Sequence, residues 1–159
     1  MKTLTLKVAE LQPHPLSDEL FGQLEEDRFL DLAQDIDRRG LQYPPEVDLH
    51  NRVICGSQRL RALKHLGWKE VDGIVRDELQ TEDSIREHII LDNTQRRQLS
   101  PAQMYRAGKE LERIYSKDAA YRQQVLAKEG KPLPQNSGKG ETLELVGAKF
   151  GVSANTFSD

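Results

Sequence analysis

The sequence predicts a mixed α+β chain: a small mixed sheet with helices, then an all-α segment ending in a helix-turn-helix pattern. Three observations predict it. Short β-rich runs such as "RVIC" (52–55) are confined to the first 77 residues. Apolar residues at helical spacing dominate from residue 81 onward. A non-periodic stretch rich in Gly, Pro, Asn and Ser, "EGKPLPQNSGKGE" (129–141), reads as a mobile linker before the last helical segment. The division falls at 98/99, with a sheet-bearing domain over 1–98 and a helical region over 99–159.

The elements follow in order. "LTLKVAELQPHP" (4–15) alternates, then breaks at two prolines, which predicts a short strand and a turn. Leu16–Glu26 is acidic and reads as loop or a loosely held turn. In 27–40, Phe29, Leu32, Ala33 and Ile36 have helical spacing, with Asp27 as a cap and Gly40 as the stop. "PPEVDLH" and "RVICG" read as two strands joined near Asn51. A helix over "SQRLRALKHLG" turns Leu60, Leu63 and Leu66 inward, and "EVDGIVRD" (70–77) is a further strand. Residues 81–100 begin as a helix and run into a polar patch. Ser100-Pro101 is a cap and first-turn pair for an amphipathic helix through Met104, Leu111 and Ile114. A short helix follows over 121–127. The last segment is helical, turns at Gly151 and restarts at Ser153. The sequence stops about two turns into that element or sooner, as expected of a piece cut from a longer chain.

Composition narrows the function. Residues 1–50 hold 5 Lys/Arg against 11 Asp/Glu, and residues 51–159 hold 18 against 15. The overall charge of −3 gives no global basic field, so any contact with nucleic acid is local. No apolar run approaches the ~20 residues of a membrane span, and no secretory leader pattern begins the chain. A single cysteine fits a reducing, cytosolic setting. One Cys and four scattered His (14, 50, 65, 88) weigh against zinc.

Three constellations carry chemistry. In "ICGSQRLRAL" a strand meets a helix at Gly56-Ser57. Free backbone N–H groups at a helix start attract anions, and glycine admits close approach. Arg59 sits in the first turn, where it opposes the helix dipole unless it serves an anion. The other reading is an ordinary helix with Arg59 and Arg61 in solvent, and both readings stand. In "LDNTQRRQLSP" (91–101), Asp92 and Asn93 offer oxygen atoms to a phosphate-bound magnesium; the other reading is a polar linker that caps the next helix. In the last segment, Leu143, Val146 and Phe150 form an apolar face. Gly147 and Gly151 suit close packing and a turn, and "SANT" would open a recognition helix. The other reading is a plain helical hairpin.

Two decoys are set aside. "SGKGET" lacks the Ser/Thr that a Walker loop needs after its Lys, and no strand precedes it. Cys55 is a thiol near a helix start, but at the end of "VIC" it reads as a small buried apolar residue.

Taken in order, the motifs resemble the ParB N-terminal domain, of ParB/sulfiredoxin-like fold, followed by the start of the ParB central helix-turn-helix. "GSQRLRA" (56–62) is similar to that family's Gly-Glu-Arg-Arg-x-Arg-Ala phosphate motif. "LDNTQRRQLSP" is similar to its Glu-Asn-x-Gln-Arg-x-x-Leu-x-Pro segment. "LDLAQDIDRRGLQYPPEV" is similar to the helix and strand before the phosphate motif. The resemblance implies CTP with Mg2+ as ligands and a homodimer that the nucleotide closes into a clamp on DNA. It implies that Gly56, Ser57, Gln58 and Arg59 line the triphosphate, with Arg59 as the main charge partner. Arg61 matches a motif arginine. Asn93 falls on the metal side, Asp92 stands where a Glu linked to hydrolysis is common, and Gln95 and Arg96 complete a second wall. Ser153, Asn155 and Thr156 would face DNA. The implied role is partitioning of a chromosome, plasmid or phage genome in the cytoplasm, on the nucleoid or plasmid, alongside a partition ATPase and away from membranes.

The sequence departs from the pattern at Ser57 and Gln58, which replace Glu and the first Arg. It departs again at Asp92, which replaces Glu, and it lacks the Gln-Pro-Arg common after the first strand. These changes bear on hydrolysis more than on binding. Two other functions are open on the same fold: a nucleotide-dependent kinase or nuclease, and a DNA-binding adaptor with a degenerate nucleotide site. Sulfiredoxin shares the fold, but its reactive Cys position holds Ser57 here.

Overall fold

A computed structural model describes residues 1–117, 119–130 and 139–158. They separate into two compact units, 1–89 and 90–159.

The first unit holds a five-stranded mixed sheet of order β1-β5-β3-β4-β2. Strand β1 (Lys2–Lys7) is antiparallel to β5 (Glu70–Val75) at one edge. Strand β2 (Gln12–Pro13) is parallel to β4 (Arg52–Cys55) at the other. Between them, β3 (Glu46–Val47) pairs antiparallel with β4 and parallel with β5. The segment expected as one strand and a turn therefore supplies both edges. A 3-10 turn over Val8–Glu10 carries it across, and Val8 and Leu11 bury themselves in the core on the way.

Helices α2 (Glu26–Arg39) and α3 (Ser57–His65) pack together over this core through Phe29, Ala33, Ile36, Leu60 and Leu63. Burial of each large apolar side chain is worth roughly 1.5–3 kcal/mol. Gly40 ends α2 as expected, whereas Glu25 rather than Asp27 takes the N-cap position, with no side-chain bond.

Residues 15–21 form helix α1 (Pro15–Phe21), which corrects the loop expected from Leu16. Pro15 opens it, His14 caps it, and Leu16, Leu20 and Phe21 are buried. Acidic composition concealed an i, i+4 apolar pair led by proline, a valid helix start. The cap is unusual. His14 Nδ1 accepts from Leu16 N–H at 3.1 Å while Nε2 meets Glu82 Oε1 at 2.7 Å, so the proton resides on Nε2. Glu82 Oε2 in turn accepts from Arg52, whose Nε donates to the fully buried Asp48 at 2.6 Å. Glu82 and His88 lie on α4 (Glu82–Arg96), which runs past the boundary of the first unit.

The second unit holds the end of α4 with α5 (Pro101–Lys117), α6 (Ala119–Lys128) and α7 (Lys139–Phe150). Ser100 and Gln103 cap α5 reciprocally: the Gln103 amide donates to Ser100 Oγ and the Ser100 amide to Gln103 Oε1. Of the expected linker, 131–138 lie outside the described residues, as do the first two residues of "SGKGET", and 139–141 already belong to α7. After a turn at Gly151, Ala154–Phe157 forms one 3-10 turn, so the described residues contain no recognition α-helix. Gly147 admits this turn, since a Cβ there would press on the Val152 carbonyl at 2.6 Å. Phe157 is fully buried against Gly108 of α5, where a Cβ would overlap its ring.

Two predictions follow from this packing. Gly108→Ala is expected to destabilise the chain by about 1–3 kcal/mol through overpacking, read as a lower urea midpoint; an unchanged midpoint would contradict the Gly108–Phe157 contact. The second concerns pH. Burial holds His14 below its usual 6.5, against the raising pull of Glu82. The unfolded chain therefore takes up that proton first, and stability should decline as pH falls through 6.5. Asp48 lies below its usual 3.8: burial pushes it up, but hydrogen bonds from Arg52 and His50 outweigh that. Its contribution is present above 3.8 and is lost at lower pH. His14→Asn keeps a capping oxygen without the titration, so the first decline should vanish from its thermal-unfolding profile.

Candidate functional site: the strand-to-helix junction at Gly56

Strand β4 becomes α3 within one residue. Gly56 makes the turn with φ 98° and ψ 31°, a left-handed conformation that costs other L-residues roughly 1–2 kcal/mol. The first α-helical bond of α3 runs from Leu60 N–H to the Gly56 carbonyl at 2.9 Å. The amides of Ser57, Gln58 and Arg59 precede it and carry the positive end of the helix dipole.

Arg59 folds back over this start, as its place in the first turn suggested. A Cβ on Gly56 would come within 2.8–2.9 Å of the guanidinium. The guanidinium is half-buried and held by backbone: Nη1 donates to the carbonyls of Tyr43 at 2.5 Å and Pro44 at 3.2 Å. Beside it lies a cleft of about 490 Å³, lined by Arg39, Gln42, Tyr43, Leu32 and Asp35 among others. A second cleft, of about 240 Å³, is lined by Ser57, Gln58, Arg61, Lys64 and Asp18 among others.

The remaining motif residues of α3 are tied to structure. Gln58 is 8% exposed and accepts from Leu24 N–H at 3.3 Å. Arg61 lies 3.7 Å over the Phe29 ring and pairs with Glu26 at 3.2 Å. Cys55 is buried at the end of β4, as expected of a packing residue.

The second constellation belongs to the second unit: residues 91–96 form the last turns of α4, and only 97–100 lie beyond it as a non-helical link to α5. Asp92 pairs with Arg96 one turn on at 2.7 Å. Asn93 is half-buried, while Gln95 and Arg96 are exposed. Ser153, Asn155 and Thr156 are exposed around the buried Phe157.

Sequence reasoning missed the carbonyls of Tyr43 and Pro44 as partners of Arg59. It also missed a charged cluster beside Cys55. There Glu46 accepts from His88 Nε2 and from Arg76 Nε, both at 2.8 Å. The His88 hydrogen bond and the Arg76 charge, working against burial, hold its carboxyl down at about 2. Both contacts link residues 30 or more positions apart, and no local pattern encodes them.

The ParB N-terminal domain family matches residues 2–94. The chain belongs to that family. A probable chromosome-partitioning protein ParB of Helicobacter pylori is 32% identical over 117 residues, covering 72% of this chain and 39% of that protein. A nucleoid occlusion protein of Oceanobacillus iheyensis is 30% identical over 105 residues, covering 62% and 35%. This ParB-family chain thus spans under half the length of the curated relatives it matches. Among solved structures, the pNOB8-like ParB N-domain aligns with TM-score 0.63 at 20% identity, covering 97% of this chain and 61% of that one. A C-terminally truncated chromosome-partitioning protein ParB from Caulobacter crescentus, complexed with CTP-gamma-S, aligns with TM-score 0.54 at 20% identity, covering 92% and 77%. These structural likenesses establish the mixed α+β fold.

The junction yields a test of its own. Gly56→Ala should cost stability twice, through its left-handed backbone and through displacement of Arg59. In an Arg59→Ala background only the backbone part should remain, so a double-mutant cycle should return a coupling of about 0.5–3 kcal/mol. Additive effects would mean that Arg59 does not rest on Gly56.

Proposed function

We propose that this ParB-family chain acts in DNA partitioning as a switch that binds CTP with magnesium and closes a homodimer on DNA. The observation that carries this reading is the Arg59 guanidinium folded over a left-handed glycine at the start of α3. A triphosphate there would meet helix-start amides on one side and a planar guanidinium on the other, both favourable to phosphate oxygens. To serve it, Arg59 would release the Tyr43 and Pro44 carbonyls that now accept its hydrogens. The presence of CTP-gamma-S in the Caulobacter ParB complex supports the choice of nucleotide.

Asp92 and Asn93 supply hard oxygen donors, the class magnesium takes. The metal would neutralise phosphate charge. Asn93 is the proposed metal-side residue, Gln95 and Arg96 would face phosphate, and Asp92 would orient water if CTP is hydrolysed. Ser153, Asn155 and Thr156 are proposed DNA contacts, in a protein that works on the nucleoid or a plasmid with a partition ATPase. Among the described residues, no helix is long and apolar enough to cross a membrane.

A second reading has its own observation. Gln58 is buried and Arg61 is stacked on Phe29, so two motif positions are committed to packing. This favours a DNA-binding adaptor whose nucleotide site has decayed. Separate titrations with CTP, ATP and GTP in magnesium discriminate the readings. Binding is expected to prefer CTP and to fall about 10–150-fold in Arg59→Ala, the worth of a charged hydrogen bond. Absence of any nucleotide binding at millimolar concentration would sink the switch. Asn93→Ala should remove the magnesium dependence, and unchanged dependence would refute the metal-side assignment.

A further inference from the structure

A second cluster of chemically capable side chains lies behind the junction. Glu46 on β3 and Cys55 on β4 are directly opposed across the ladder, so their side chains share one face of the sheet. His88 reaches the same face from α4. One ligand atom of each, a carboxylate oxygen, the thiol sulfur and an imidazole nitrogen, lies within 4.8 Å of the other two. Cys55 is 3% exposed, and the side chains of Glu46 and His88 are 14% and 22% exposed. The cluster is thus closed on the protein side and reachable from the other.

We propose that Glu46, Cys55 and His88 bind a borderline-soft divalent cation of the zinc class, with a fourth position open to water or an outside ligand. Sulfur, nitrogen and oxygen together suit zinc, while magnesium takes oxygen alone. Metal–ligand bonds of about 2.0–2.3 Å bring ligand atoms to roughly 3.5 Å from one another, so side-chain rotation of about an ångström completes the set. A proton now stands where the metal would: His88 Nε2 donates to Glu46. Binding at Nε2 leaves the imidazole neutral with its proton on Nδ1 and sends the thiol proton to solvent, leaving a carboxylate and a thiolate against the divalent charge. Arg76 keeps its bond to Glu46 Oε2 and orients the carboxylate from outside, as partners of metal ligands do. The site would join β3, β4 and α4 directly behind the Gly56 turn. Single-sequence reading weighed against zinc because the Cys and His are scattered, and the fold gathers them.

The test uses the whole chain without nucleotide, so it stands apart from the nucleotide reading. Cobalt(II) titration is expected to give tetrahedral visible bands and a thiolate-to-cobalt band in the near ultraviolet, saturating at one ion per chain and displaced by zinc. Cys55→Ser should lose the thiolate band, and His88→Gln should lose the tetrahedral spectrum. The chain has one cysteine, so alkylation of the unaltered protein gives a second readout free of folding defects. Zinc should slow it at least about 10-fold, and a chelator should restore it. An octahedral cobalt spectrum without the thiolate band, or alkylation unaffected by saturating zinc, overturns the proposal.

Discussion

The structure depends on one turn. Strand β4 runs through the sheet, and α3 must then leave it at once to cover the core with Leu60 and Leu63. A longer connection would carry α3 away from Phe29 and Ile36. Only a residue comfortable at positive φ makes that turn in one step, and Gly56 is that residue. The price of compactness is a helix that begins without a side-chain cap, its first amides unclaimed by the backbone of α3. The arginine lying over this start is then a consequence of the same turn, because no Cβ stands in its way.

Around the turn, the two-residue strand β3 and its flank organise the charge. Glu46 and Asp48 flank Val47, and each anchors a separate polar cluster. Glu46 joins Arg76 and His88; Asp48 joins Arg52, Glu82 and through it His14. Both clusters end on α4, at Glu82 and His88, so the first turns of that helix are held to the sheet by ion pairs as well as by the buried Ile85 and Ile89. Buried ion pairs add little net stability over apolar packing, but removing one partner strands the other at about 3–5 kcal/mol. Such clusters disfavour alternative placements of the helix more than they deepen the native one. His14 extends this logic to α1, since the ring that caps α1 is also the donor to Glu82.

Elements with strong local patterns were legible in the sequence. Helix α2, with Phe29, Ala33 and Ile36 inward and Gly40 at its end, and α5, with its Ser100 cap, lie where periodicity and capping put them. The junction at Gly56 was legible because a β-branched run, a glycine and a helical repeat follow in immediate succession. Helix α1 was hidden by its acidic composition. The division of residues 2–13 between opposite sheet edges was hidden because strand order is a long-range property. The carbonyls that hold Arg59 could not be read at all, because every residue presents the same backbone carbonyl whatever its side chain. A lone cysteine gave no hint of Glu46 and His88 either, because tertiary structure alone brings their side chains to it.

The clasp between Arg59 and the carbonyls of Tyr43 and Pro44 also has a kinetic meaning. An arginine waiting in solvent captures an anion at the rate of encounter, and dissolved salt slows it strongly by screening. Here the same charge is already satisfied, so an arriving anion must wait for the clasp to open or must displace it. The productive association rate is then the encounter rate multiplied by the open fraction. Salt acts on the first factor and barely on the second. A ligand at this junction would therefore arrive slowly for its charge, and its rate would follow the motion of the 43–44 segment.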